Sequence, residues 1–79
     1  VSILATLEQA SRAEIAARRR LQLTEREADR VHRAEGSLPW YVVRALRQSA
    51  AEHSKAARAV KAARLALMKR ARELEENKV

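Results

Sequence analysis

The sequence predicts an all-α chain, two long helices folded back on each other as an antiparallel hairpin of coiled-coil type. Three observations carry the prediction. The only glycine and the only proline, Gly36 and Pro39, fall in one short stretch near the middle of the 79 residues. On both sides of that stretch apolar and small residues recur at alternating three- and four-residue spacing, the period of one helix face. Seventeen residues are alanine, the strongest helix former because it loses no side-chain entropy on entering a helix. A chain this short forms one unit, residues 1–79.

The first helix is expected over about residues 2–34. Its seam runs through Ile3, Leu7, Ala10, Glu14, Ala17, Leu21, Thr24, Ala28 and Val31. Glu14 and Thr24 are polar interruptions. Thr24 and Glu27 also satisfy the T-x-x-E capping-box pattern, which would start a separate helix after a kink near Leu23. No glycine or proline lies there, so one continuous helix is the favoured reading. Leu23 to Glu27 with Ala34 to Gly36 is similar to the opening of the helix-turn-helix domain of quorum-sensing-type response regulators, over about fourteen residues. The stretch from Leu38 to Val43 lacks a recognition-helix pattern, and no function is carried over from that family.

The turn is expected over residues 35–39. Gly36 suits a left-handed helix C-cap, Ser37 an N-cap, and Pro39 the first turn of the next helix.

The second helix is expected over about residues 39–76, with a seam of Val43, Leu46, Ala50, His53, Ala57, Val60, Arg64, Leu67, Ala71 and Leu74. A second face of small residues comprises Ala45, Ser49, Ala56, Ala59, Ala63 and Ala66, interrupted by Glu52. One partner helix cannot cover both faces. Alanine filling exposed positions is one account; a docking face for a helix of a second copy or of another protein is the other. The residues expected at protein interfaces are therefore Val43, Leu46, Ala50, Ala56, Ala59, Val60, Ala63, Leu67 and Trp40. A short connection makes the helices antiparallel neighbours, each roughly 50–60 Å long at about 1.5 Å per residue. The result is a rod, completed into a bundle if a partner or second copy docks on it.

Composition bounds what the rod can do. Phenylalanine and cysteine are absent, and the only aromatics are Trp40 and Tyr41. An alanine core buries little apolar area to offset backbone entropy, so partner subunits or a second copy are expected. Without cysteine there is no disulfide or thiolate metal site, and an intracellular chain is the expectation. No apolar run approaches the roughly 18–20 residues that cross a bilayer, so no membrane insertion is expected. A surface helix on anionic lipid is disfavoured, because the apolar face is alanine rather than Trp, Phe or Leu. Beginning at Val1 rather than Met, the chain is expected to be a fragment or a processed form.

Charge is the most informative functional feature. The chain carries a formal net charge of +7. Residues 1–36 hold seven Arg against six acids, whereas residues 44–72 hold nine Arg and Lys against Glu52 alone. Arg44, Arg47, Lys55, Arg58, Lys61, Lys69 and Arg72 are the candidate nucleic-acid contacts. The ratio of thirteen Arg to four Lys suits bidentate grips on phosphate. An acidic protein surface and plain solvation are the competing readings of this face. Arg18, Arg19 and Arg20 point about 100° apart on a helix and form no single patch.

Trp40 and Tyr41 stand beside Arg44 and Arg47, where an aromatic can stack on an unpaired base or anchor a partner. The expected arrangement is simpler: Trp40 packs against Leu38 and Val31 and closes the hairpin's end. His32 and His53 show no metal spacing, and His53 falls on the seam. Glu73, Glu75 and Glu76 sit at the end of a helix that disfavours acids, which suggests a solvated end or a basic neighbour. There is no activated nucleophile, phosphate-cradling glycine loop or carboxylate pair, and Asp29 is the only Asp. No enzyme, cofactor, metal or small-molecule substrate is expected. These features suggest a non-enzymatic helical subunit of a larger assembly that contacts nucleic acid through helix two. The alternative is a coiled-coil adaptor or homo-oligomerisation module acting through protein contacts alone.

Overall fold

The computed structural model describes residues 2–77. Among them the chain forms two α-helices, α1 (Ile3–Glu35) and α2 (Trp40–Glu76), packed against each other as a hairpin. The Thr24–Glu27 motif starts no new helix, and α1 runs through it without interruption. Instead the Thr24 hydroxyl donates back to the Arg20 carbonyl at 2.8 Å.

The helix ends show how the turn is built. Ser2 caps α1, its hydroxyl accepting from the Ala5 amide at 3.0 Å. Gly36 closes α1 in the left-handed conformation, φ 76, and its amide donates to the His32 carbonyl at 2.7 Å. An L residue pays steric energy at that φ, which is why the single glycine sits there. The start of α2 differs from the sequence expectation. Pro39, not Ser37, is the N-cap, in extended conformation with φ −59 and ψ 151. Its carbonyl accepts from the Val42 and Val43 amides at 3.0 and 3.2 Å. Among the described residues no side chain caps α2, and proline's restricted φ holds the chain at its entry.

The packing follows the predicted seam on α1 at every position: Ala17 and Ala28 are buried and the other seven are half-buried. On α2 the seam is displaced in part. Val43, Leu46, His53, Val60 and Leu67 face α1 as expected, but the residues that complete the seam are Val42, Ser49, Ala56 and Ala63. Ala50, Ala57, Arg64, Ala71 and Leu74, expected on the seam, are exposed. Three members of the face assigned to a further partner, Ser49, Ala56 and Ala63, therefore belong to the hairpin's own interface, while Ala45, Ala59 and Ala66 are exposed.

The reason lies in what α1 presents. Each polar interruption of its seam meets a polar residue of α2. The Thr24 and Ser49 hydroxyls lie 3.1 Å apart, and Glu14 Oε1 lies 3.0 Å from His53 Nε2. Sliding the helices by one heptad would break both cross-helix pairs and leave the half-buried Glu14 with Arg18 of its own helix alone. The polar pairs thus specify the register, much as a lone polar residue does in a coiled coil.

The interior is thin. Its buried residues are Ala17, Ala28, Val42, Val60 and Ala63. The molecule measures 67 × 16 × 14 Å with a radius of gyration of 18.5 Å, against roughly 12 Å for a compact chain of this length. It exposes 6641 Å², where a compact monomer of its mass exposes roughly 4,800 Å². The difference exceeds the roughly 800 Å² that one partner contributes to a standard protein interface.

Candidate nucleic-acid interface

All seven candidate contacts, Arg44, Arg47, Lys55, Arg58, Lys61, Lys69 and Arg72, are exposed. At 3.6 residues per turn they fall within an arc of about 120° centred opposite the α1-facing seam. From Arg44 to Arg72 the face runs about 42 Å at 1.5 Å per residue. Among the described residues none of the seven enters an ion pair. Two exposed apolar residues, Leu65 and Met68, lie between the last of these cations.

The arginines of α1 contrast with them. Arg12 pairs with Glu8 at 2.5 Å, Arg18 with Glu14 at 2.5 Å, Arg33 with Asp29 at 2.9 Å, and Arg30 with Glu27. Arg20 reaches across the hairpin to Glu52 at 3.6 Å. Each acid lies three or four residues before its arginine in the four pairs within α1, the spacing that brings side chains together on a helix. The Arg30 guanidinium, hydrogen-bonded to Glu27, holds that carboxyl below the usual carboxylate range and is itself raised by it. The even charge balance of residues 1–36 is therefore realised as local pairing. Arg19 and Arg26 enter no ion pair among the described residues, and they belong to a heptad-spaced column, Arg12, Arg19, Arg26 and Arg33, down the back of α1. The seven-residue spacing makes that column readable in the sequence, where overall neutrality hides it.

The histidines separate in role. His53 is half-buried against Glu14, whose carboxyl also accepts from Arg18 at 2.5 Å. The hydrogen bond from Arg18, then that from His53, lowers the Glu14 pKa from its ordinary value. Nothing in the sequence pattern pairs Glu14 with His53, because they are interruptions of two different seams. His32 is exposed. Among the described residues no group of three His, Asp or Glu is placed to hold a metal, and no helix is long and apolar enough to cross a membrane.

The interface candidates divide. Val43, Leu46, Ala56, Val60, Ala63 and Leu67 are covered by α1 to a half or more, while Ala50 and Ala59 are exposed. Ala59 joins Ala13, Ala17 and Ala56 along a shallow apolar groove where the two helices meet, bounded by Arg20, Glu52 and Lys55. Trp40 does not close the end of the hairpin: it is 73 % exposed, and Tyr41 is 58 % exposed. The two rings meet edge to face with centroids 6.1 Å apart and planes at 85°. Trp40, Arg44 and Arg47 follow the i, i+4, i+7 spacing of a single helix face, so the indole stands at the head of the basic stripe. Comparison of the chain with protein-family models, with curated proteins and with solved structures finds no match.

Proposed function

We propose that this chain is a non-enzymatic helical subunit of a larger assembly and that the outer face of α2 contacts a nucleic-acid backbone. The observation that carries the reading is the exposed row of seven cations on α2, without an ion pair among the described residues, on a molecule that neutralises most arginines of its other helix. A charge left unpaired in a row about 42 Å long concentrates positive potential along one side of a rod. Phosphates suit such a row, since the four arginines, Arg44, Arg47, Arg58 and Arg72, can each bind two oxygens at once and the three lysines add point charges between them.

The test is the salt dependence of binding. If all seven cations meet phosphates of a duplex, log K falls against log[salt] with a slope of about −6. Neutralising three of them in R58Q/K61Q/K69Q reduces the slope to about −4, because each lost contact removes about 0.9. Fluorescence anisotropy with a labelled duplex reads both slopes. A slope unchanged by the triple substitution overturns the assignment of this face.

The apolar groove of Ala13, Ala17, Ala56 and Ala59, together with the excess exposed surface, favours a second reading as a protein-contact module. In that case the charge variants leave nucleic-acid binding unaltered, and A59W, which fills the groove, abolishes self-association or assembly.

A further inference from the structure

We propose that Trp40 stacks on an unpaired base, so that the preferred ligand of the α2 face is single-stranded nucleic acid or a strand with an unpaired end. The inference rests on the phosphate-binding reading of that face and narrows it to a class of ligand. A tryptophan 73 % exposed at the first position of a helix contributes almost nothing to the hairpin's own packing. Its neighbour Tyr41 stands perpendicular to it, at 85°, so the pair does not cover the indole face to face. Arg44 and Arg47 follow on the same side at about 6 and 10 Å of helical rise, followed by Lys55 and Arg58.

This order matters chemically. Guanidinium groups hold the sugar-phosphate chain, and an aromatic ring at the head of the row offers a flat partner to a base. A duplex hides the faces of its bases except at its ends, so it can use the cations but not the indole. Single strands present every base face, and base–aromatic stacking tolerates any sequence. The position of Trp40 at the closed end of the rod lets a strand lie along α2 and end, or turn, against the ring.

Trp40 is the chain's only tryptophan, so its emission reports on this one position. The full chain is titrated with a short single-stranded oligothymidylate and, separately, with a blunt duplex carrying the same number of phosphates. The expected result is quenching of Trp40 emission by the single strand, saturating with the affinity that anisotropy gives. W40A is expected to lose roughly tenfold or more in single-strand affinity, within the range of one base stack, and under twofold for the duplex. Its circular dichroism should match the parent, since the ring packs on little. Binding of the oligothymidylate with no quenching, or equal losses for both ligands in W40A, overturns the stacking proposal and leaves the basic-face reading standing. Failure of the parent chain to bind either ligand overturns the basic-face reading itself.

Discussion

The register of α2 is best tested by placing the same side chain on two adjacent candidate seams. Ala63 is 7 % exposed and faces α1, whereas Ala50 lies on the neighbouring exposed face. A63K and A50K add one charge each to the same helix and change its intrinsic propensity equally, by a few tenths of a kcal/mol. They differ only in what the new side chain meets. At residue 63 four methylenes and an ammonium must enter a seam where alanine just fits, forcing the helices apart or burying charge. Overpacking alone costs about 1–3 kcal/mol, and the displaced ammonium adds to it. A63K should therefore lose about 2–4 kcal/mol, a fall in Tm of roughly 10 °C or more for a chain of this size. A50K, whose lysine extends into water, should stay within about 0.5 kcal/mol of the parent. Thermal and urea melts followed by circular dichroism, at one fixed protein concentration, measure both. Equal destabilisation by A50K and A63K would refute the packing described here and restore the seam through Ala50 and Ala57.

Three further perturbations probe the devices that hold the hairpin. The lowered pKa of Glu14 means the unfolded chain takes up that proton more readily, so the stabilisation is present above the ordinary carboxylate value of 4.5 and is lost as pH falls through the lowered one. Between neutral pH and pH about 3 the parent should thus lose more Tm than E14Q, and identical pH profiles would exclude a role for the Arg18–Glu14–His53 cluster. G36A places a Cβ in open space but at φ 76, so it should cost about 1 kcal/mol through strain alone; urea titration reads the change, and G36N should recover part of it. For the hydroxyl pair, T24V strands the part-buried Ser49 hydroxyl and should cost about 1 kcal/mol, S49A should cost less because Thr24 keeps its bond to the Arg20 carbonyl, and the double substitution T24V/S49A should cost less than T24V alone. A double-mutant cycle with no coupling would show that the 3.1 Å contact does not form in solution.

Much of this arrangement was legible in the residues themselves. Gly36 marks the end of α1 because only glycine adopts φ 76 without penalty, and the α1 seam follows because its large residues, Ile3, Leu7, Leu21 and Val31, leave one solution. The α2 seam was half legible for the opposite reason. Leu46, Val60 and Leu67 are anchored by size, but between them lie alanines on two adjacent faces, and no hydropathy pattern separates Ala56 from Ala57. The choice is made across the interface, by the steric fit and by the polar partners that Thr24 and Glu14 require. Trp40 was misread because large aromatics usually pack, yet its spacing to Arg44 and Arg47 already placed it on the side away from α1. Of the candidate site, the seven cations were legible by period alone, while the local pairing of the α1 arginines depended on contacts that charge counting does not reveal.

The hairpin's specificity and its stability come from different residues, and that separation bears on what the molecule is for. Register is set by Glu14–His53 and Thr24–Ser49, contacts that contribute little net energy because each partner was hydrated when unfolded. The fully buried residues are Ala17, Ala28, Val42, Val60 and Ala63, none larger than valine, and the larger Ile3, Leu7, Leu21, Leu46 and Leu67 are only half-buried on the seams. Leu at the same period would deepen the core only if the two helices moved apart, at a small cost in helix propensity. Small residues instead keep the two helices close and the rod narrow, at 16 × 14 Å, and carry the seven cations along one edge. Thinness of this kind has a use when the rod is covered along its length, and a bound polyanion would supply the counter-charges for one edge. Binding energy and folding energy would then be coupled, and the nucleic-acid contact proposed for α2 should raise the Tm of the chain with the logarithm of free ligand once that exceeds Kd.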